Sequence, residues 1–443
     1  MESGWNSEPV RTGERHFSER DRHRSSRTVP PYPDNTDTVV LVSGSPTQDL
    51  ALRRARVGVA LLFLTNGALF ANILPRYPEI KASLGLDATA YGLAIAAFPA
   101  GAIIAGLAAA VFIRRYGSAK VAVAGTIITS LGILAAGLSP SVILFALGLF
   151  IGGAADAITD VAQNAHGLRV QRGIGRSVIN SFHATWSIGA VLGGSMAAIA
   201  IATALPISIH LVISAVIFAI VSLIALRLCL PGRDDRTEED AIAGGHEIGG
   251  ALQRVTTKTV VLIVALVLIS IAGALVEDAG MSWATLYLAT SLEAPAALAA
   301  TGYIALVGAQ FIGRMVGDRL TDRFGQRAVA TAGGLITAVG MGVALAFPTI
   351  PGTIIGFAAA GYGVATLIPA AMQVADDLPG LKHGAGLTIV SWLLRLGFLL
   401  SPPIVGLVAD NAGLRAGLLV VPIAGVVAVL FAWALNGRAQ RTE

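Results

Sequence analysis

Charge is what this 443-residue chain has least of: Asp, Glu, Lys and Arg make up 13% of it, about half the ~25% usual in soluble proteins. It has one cysteine, Cys229, which excludes an intrachain disulfide and any cysteine-cluster metal site. No Gly-x-x-x-x-Gly-Lys-Ser/Thr sequence is present, so nothing supports ATP-driven pumping by this chain. No His-Glu-x-x-His or paired histidine–carboxylate set supports a membrane metalloenzyme. What is abundant is apolar. Hydrophobic residues make up 54% of the sequence, and apolar runs of about 18 residues or more recur along most of it, as helices crossing a ~30 Å hydrocarbon core require. A soluble enzyme and a nucleic-acid binder are therefore excluded in favour of an all-α integral membrane protein.

Residues 1–52 differ from the rest. They are polar, Arg-rich and contain Pro30, Pro31 and Pro33; without the apolar core of a signal peptide they are expected to form a disordered cytoplasmic tail. Twelve spans are expected at about 57–75, 88–112, 120–138, 142–165, 177–204, 206–228, 259–280, 295–316, 328–347, 352–371, 385–407 and 416–436. A charged linker over 229–258 separates an N-terminal six-helix bundle (53–228) from a C-terminal one (259–437), and 438–443 form a short C-terminal tail. The tail, the even-numbered loops and the C-terminus hold 27 of the 31 Lys and Arg. Basic residues stay on the cytoplasmic side of a cell membrane, so both termini are expected there. The basic excess is thus topogenic and says little about an anionic partner.

The two halves carry an internal repeat. Shifting the sequence by 208 residues aligns ten identities over the 24 positions from Gly117 to Pro140, among them Gly117 with Gly325, Thr129 with Thr337 and Gly132 with Gly340. The same shift pairs Gly148 with Gly356, Gly153 with Gly361 and Gly189 with Gly397. Two six-span halves repeated in one orientation are the layout of a rocking transporter that binds its substrate between them.

The loop from Gly317 to Arg327 reads Gly-Asp-Arg-Leu-Thr-Asp-Arg-Phe-Gly-Gln-Arg. It resembles the G-x-L-x-D-R-x-G-R-R signature of the major facilitator superfamily, matching at Leu320, Asp322, Arg323, Gly325 and Arg327, with Asp318 in place of a glycine. The first-half loop keeps Arg115 and Gly117 but has Arg114 where the acid belongs. A tight turn needs glycine, and an Asp beside a helix N-terminus with Arg partners can latch one conformation. Asp318, Asp322, Arg323, Gly325, Arg327, Arg115 and Gly117 are therefore expected to form a conformational latch. Shorter phrases are similar to a bacterial branch near the fucose-type sugar permeases: Asp160-Val161 with Asn164, Ser181-Phe182-His183-Ala184 with Trp186-Ser187-Ile188-Gly189, Glu277 with Trp283, and Gly397 with Pro402-Pro403. Ser282 stands where that branch often has an acid. The resemblance implies a twelve-helix fold, a sugar-like substrate and alternating access.

An ionisable group in hydrocarbon costs at least ~2.5–3.5 kcal/mol, so such residues normally face a cavity or a partner. Span four has Asp156, Asp160, Gln163 and Asn164 at spacings that place them along one helical face. Span five adds Asn180, His183 and Trp186, and span one Asn66. The acids and histidine can relay a proton, while the amides and Trp186 suit hydroxyl binding and ring stacking, as does Trp392 of span eleven; capped helix ends and ordinary packing are the structural alternatives. Glu277 and Asp278 are adjacent in span seven, so they point about 100° apart and only one is expected to face the cavity, Glu277 first. Arg395, in span eleven, must have a partner because its guanidinium stays charged: an anionic substrate, or Glu277 or Asp156. Gln310 and Arg314 are four apart in span eight, Arg314 near the boundary, where it snorkels or joins the latch. Arg76 and Glu79 are expected to form an external ion pair.

The expectation is thus a secondary transporter, not an enzyme, moving a small polar solute with a proton as coupling ion. It should need no cofactor or metal, bind no nucleic acid, and act as a monomer in the bilayer. Efflux of a small organic anion or drug, favoured by Arg395, and a non-transporting membrane sensor are the alternatives.

Overall fold

The computed structural model describes residues 46–175, 178–232, 256–376, 378, 381 and 385–435, with residues 46–48 and Asn180 in their backbone alone. Most of the tail (1–45), most of the linker (233–255) and the C-terminal residues from 436 lie outside the described residues. Among those described, twelve helices are long and apolar enough to cross a membrane: Asp49–Ser83, Ala88–Gly106, Ser118–Gly137, Val142–Ile174, Ser181–Ala202, Ile207–Leu228, Thr257–Thr290, Ala296–Phe324, Gln326–Ala346, Ile350–Asp376, Ala385–Ala412 and Leu414–Leu435. They are called spans one to twelve below. The side from which span one starts and at which span twelve ends is the terminal side, the opposite one the far side.

Several boundaries differ from expectation: span two ends at Gly106 and not 112, span four runs to Ile174 and not 165, and span eight to Phe324 and not 316. Helix begins at Pro46, so residues 46–52 are helical, not an irregular tail, and lead continuously into span one. Span seven continues to Thr290 and not 280, because the stretch from Ser282 to Leu288 is buried against its neighbours. Its start is fixed by Thr256, whose Oγ1 accepts the Thr259 amide at 3.3 Å, satisfying one of the orphan N–H groups of a first turn.

The repeat is visible in contacts. Thr129 Oγ1 donates to the Gly152 carbonyl at 3.4 Å, and 208 residues on Thr337 Oγ1 donates to the Ala360 carbonyl at 3.4 Å. Gly153 lies against the Phe98 carbonyl and Gly361 against that of Leu306, again 208 apart, with no room for a methyl at either. The helix-to-helix turns at Gly117 (φ 86°) and Gly325 (φ 79°) adopt the same left-handed backbone, open to glycine at little steric cost.

The halves meet toward the far side. Tyr91 of span two donates its hydroxyl to the Ser282 carbonyl of span seven at 2.8 Å. Its ring meets Trp283 edge-on at 4.9 Å and Tyr77 at 5.8 Å. All three rings are fully buried. Beside them, the Asp410 carboxylate of span eleven accepts the Ala88 and Thr89 amides at the start of span two, and Gly92 abuts Pro402. Toward the terminal side, by contrast, Asp160 and Arg395 are exposed although both lie inside spans. This conformation is closed on the far side and open on the terminal side.

Candidate functional site

Span one packs against span five so tightly that a methyl on Gly67 would strike the Trp186 carbonyl, and one on Gly189 the Leu64 carbonyl. That approach puts Asn66 within reach of two partners. Asn66 Nδ2 donates to Asp156 Oδ1 of span four at 2.6 Å, and Trp186 Nε1 donates to Asn66 Oδ1 at 2.8 Å. The opposite directions of the two bonds fix the amide's orientation. Three residues picked out from separate spans thus form one chain, Trp186–Asn66–Asp156, with Asn66 buried and its two partners half-buried.

One turn along span four, Asp160 is exposed. Asn164 Nδ2 donates to its Oδ1 at 3.1 Å and Gln163 Nε2 at 3.3 Å. Gln163 is fully buried, so it braces Asp160 from behind and does not itself line the opening, as its expected place on the same face had suggested. His183 and Arg395 lie within electrostatic reach of Asp160. His183 also meets the Phe63 ring edge-on at 5.2 Å. Trp392 is 50% exposed and is not brought into the Asn66 chain. The Asn180 side chain lies outside the described residues.

Across the opening, Glu277 is buried and accepts Gln310 Nε2 at 2.9 Å. Arg314, one turn further along span eight, lies 3.6 Å from the same oxygen. The cation of Glu277 is therefore Arg314, not Arg395, and Arg314 neither snorkels nor joins the latch. A four-residue spacing turns Gln310 and Arg314 to one face, and that face looks at span seven. The repeat shift sets Arg314 opposite Gly106; there Arg395 Nη1 fills the space, 3.9 Å from where a β-carbon would sit. Each half thus receives a guanidinium at the same level, one from its own span eight and one reaching over from the other half. Asp278, beside Glu277, points instead to the closed far side, where Ser282 Oγ donates to its Oδ1 at 3.4 Å.

The expected latch residues all lie at the terminal side. Asp318, Asp322, Arg323 and Arg327 are exposed and make no ion pair with one another among the described residues; Arg323 stacks on Phe324 and Arg115 on Tyr116. The Arg76–Glu79 pair is present at 2.7 Å, but Arg76 is buried and part of a larger network. Its Nη2 donates to the Leu205 carbonyl at 2.7 Å and its Nε to His210 Nδ1 at 3.4 Å. His210 Nε2 meets Asn72 Oδ1 at 2.9 Å. Arginine can only donate, so His210 is neutral with its proton on Nε2. His210 and the buried His166, which accepts the Leu230 amide at 3.2 Å, were not picked out from the sequence. For His210 the available signal was a histidine in an otherwise apolar span, since such a group needs a partner.

A sequence profile described as Major Facilitator Superfamily matches residues 59–319 and 277–443. The chain is 30% identical over 376 residues to the "Uncharacterized transporter y4wD" of Sinorhizobium fredii, covering 84% of this chain and 96% of that protein. Its fold is similar to that of a D-xylose-proton symporter, with TM-score 0.64, 18% identity and coverage of 86% and 96% of the two chains. It is also similar to the nucleoside transporter NupG, with TM-score 0.64, 13% identity and coverage of 87% and 98%. The same holds for FucP in an outward conformation, with TM-score 0.56, 20% identity and coverage of 87% and 100%.

Proposed function

The chain belongs to the Major Facilitator Superfamily and is a membrane transporter, not an enzyme, and from this we propose that it moves a small, uncharged polar solute, sugar-like in its hydroxyls, coupled to a proton carried by Asp156. The observation that carries the reading is the Trp186–Asn66–Asp156 chain at the opening between the halves. It offers an aromatic face, an amide and a carboxyl side by side, the group types that recognise a ring bearing hydroxyls.

Charge balance supports an uncharged solute over an organic anion. Arg314 is matched by Glu277, and Arg395 lies near Asp160. Among the described residues lining the opening, these pairings leave no cation over to meet an anionic solute. They leave one carboxyl, Asp156, whose direct partner is the neutral amide of Asn66. A carboxyl with no fixed cation can take up and release a proton without breaking an ion pair, which suits it to coupling better than Glu277. The D-xylose-proton symporter of the same fold is in keeping with this chemistry. We further place the protein in the cytoplasmic membrane with both termini inside, which makes the terminal side cytoplasmic and the far side external; the distribution of Lys and Arg supports this.

The experiment is uptake into proteoliposomes of a panel of neutral polyols and sugars beside small organic anions, with and without an imposed pH gradient. A neutral solute should accumulate only with the gradient, and Asp156→Asn should abolish accumulation while leaving solute exchange. Accumulation unaffected by the gradient or by Asp156→Asn overturns the proton reading, and selective uptake of an anion that is lost in Arg395→Gln overturns the solute reading.

A further inference from the structure

Asp278 lies where the far side is shut. Its neighbours across the gate are the buried rings of Tyr77 and Tyr91 from the other half, both within electrostatic reach, and Ser401 of span eleven. The charged or titratable groups acting on it or acted on by it among the described residues are Glu277, Tyr77 and Tyr91; no Lys, Arg or His is among them. Hydrogen bonding does not replace the missing cation. Oδ1 has a weak 3.4 Å bond from Ser282, the Ser401 hydroxyl is also within hydrogen-bonding reach of the carboxyl, and Oδ2 is buried with no hydrogen-bond partner. Of the nearby hydroxyls, Tyr91 gives its proton to the Ser282 carbonyl at 2.8 Å, and Ser401 is shared with the Leu275 carbonyl at 3.4 Å. In the same gate the buried Trp283 Nε1 also has no acceptor. A carboxylate left this bare in a dry interface is far costlier than the neutral acid.

We propose that Asp278 is the protonation site of the far gate: the gate shuts over the neutral acid, and ionisation of Asp278 opens it. Tyr77, Tyr91 and Trp283 supply the dry wall, and span seven carries the acid into it. The proton comes from water on the far side when the gate is open and returns there when the gate reopens. It therefore governs how often the gate opens without adding to the protons carried with the solute. The proposal rests on the transporter reading for its place in the cycle, but the response of the gate to pH needs no solute.

The test is a distance measurement across the gate. Spin labels are placed at Ala82→Cys and Ala412→Cys, exposed far-side positions on opposite halves, in a Cys229→Ala background, and distance distributions are recorded in nanodiscs without solute. The long-distance, open population should rise on the order of tenfold between about pH 5.5 and about pH 8.5. Asp278→Asn should stay at the short distance throughout, changing by less than about twofold over the same range. Asp278→Glu, which retains an ionisable group, should keep a pH response and guards against a misfolded Asn variant. A wild-type gate indifferent to pH, an Asn variant that responds like wild type, or a Glu variant with no response overturns the proposal. The proton–solute reading fails separately: gradient-independent uptake with an intact gate response removes that reading and leaves this one standing.

Discussion

The Asp410 carboxylate of span eleven accepts the Thr89 amide of span two at 2.7 Å, and its other oxygen accepts the Ala88 amide at 2.8 Å. A helix start in one half is thus capped by a side chain of the other. Span two also has its own cap, Asp87, which accepts the Ala90 amide at 2.6 Å. Asp410→Ala should therefore leave span two folded and weaken the closed far gate, shifting its open population by a few-fold, the usual scale of losing a cap. The spin-label distances across the gate check this; an unchanged distribution rules out the cap as a gate contact.

Asn66 is the one residue bonded to both Trp186 and Asp156. Asn66→Ala should lower apparent solute affinity by roughly tenfold or more, because it leaves the indole N–H without its acceptor and Asp156 without its donor. Trp186→Phe keeps a ring but removes the N–H, so it should have the milder effect. Uptake measured over a range of solute concentrations separates the two.

Glu277 and Arg314 should be coupled in stability. Glu277→Gln alone should destabilise the protein by roughly 1–3 kcal/mol, below the ~3–5 kcal/mol of breaking a fully buried pair, because Arg314 is 37% exposed. The double variant with Arg314→Gln should recover part of the loss. Thermal unfolding of the four proteins in detergent gives the coupling directly, and strictly additive shifts would remove the pair.

His210 is a structural histidine. Replacing it with Leu removes the acceptor of Arg76 Nε and the donor to Asn72 Oδ1, each worth roughly 1–3 kcal/mol when left buried and unpaired. A lowered thermal midpoint with unchanged pH dependence of uptake is expected, since the hydrogen bonds of the neutral ring run to Arg76 and Asn72 and not to Asp156, the proposed proton carrier.

Much of this architecture is legible in the sequence because hydrocarbon is a strict solvent. Apolar runs have to be long, and loop cations collect on one side, so the spans follow from composition, and the repeat from identities at a constant shift of 208 residues. Polar residues stand out for the same reason, which is how Asn66, Asp156, Asp160, Glu277 and Asp278 were found. Partnership was not legible. Asn66 and Asp156 are 90 residues apart, Asn72 and His210 138, Asp410 and Thr89 321. A helical pattern says which face a side chain is on, but not which helix that face meets. Arg314 was misplaced on this account: close to a basic loop, it reads as a loop cation until span seven is set beside it.

The duplicated scaffold and the unduplicated charges have different consequences. Matching threonine bonds and matching glycine contacts pack the helices of both halves alike. The carboxyls and guanidiniums do not match: Glu277 and Arg314 correspond to Leu69 and Gly106 in the first half. A duplicated scaffold carrying unduplicated charges separates two tasks: the packing is shared between the halves, and the side chains that tell one half from the other are a handful that can be exchanged without touching the helix contacts.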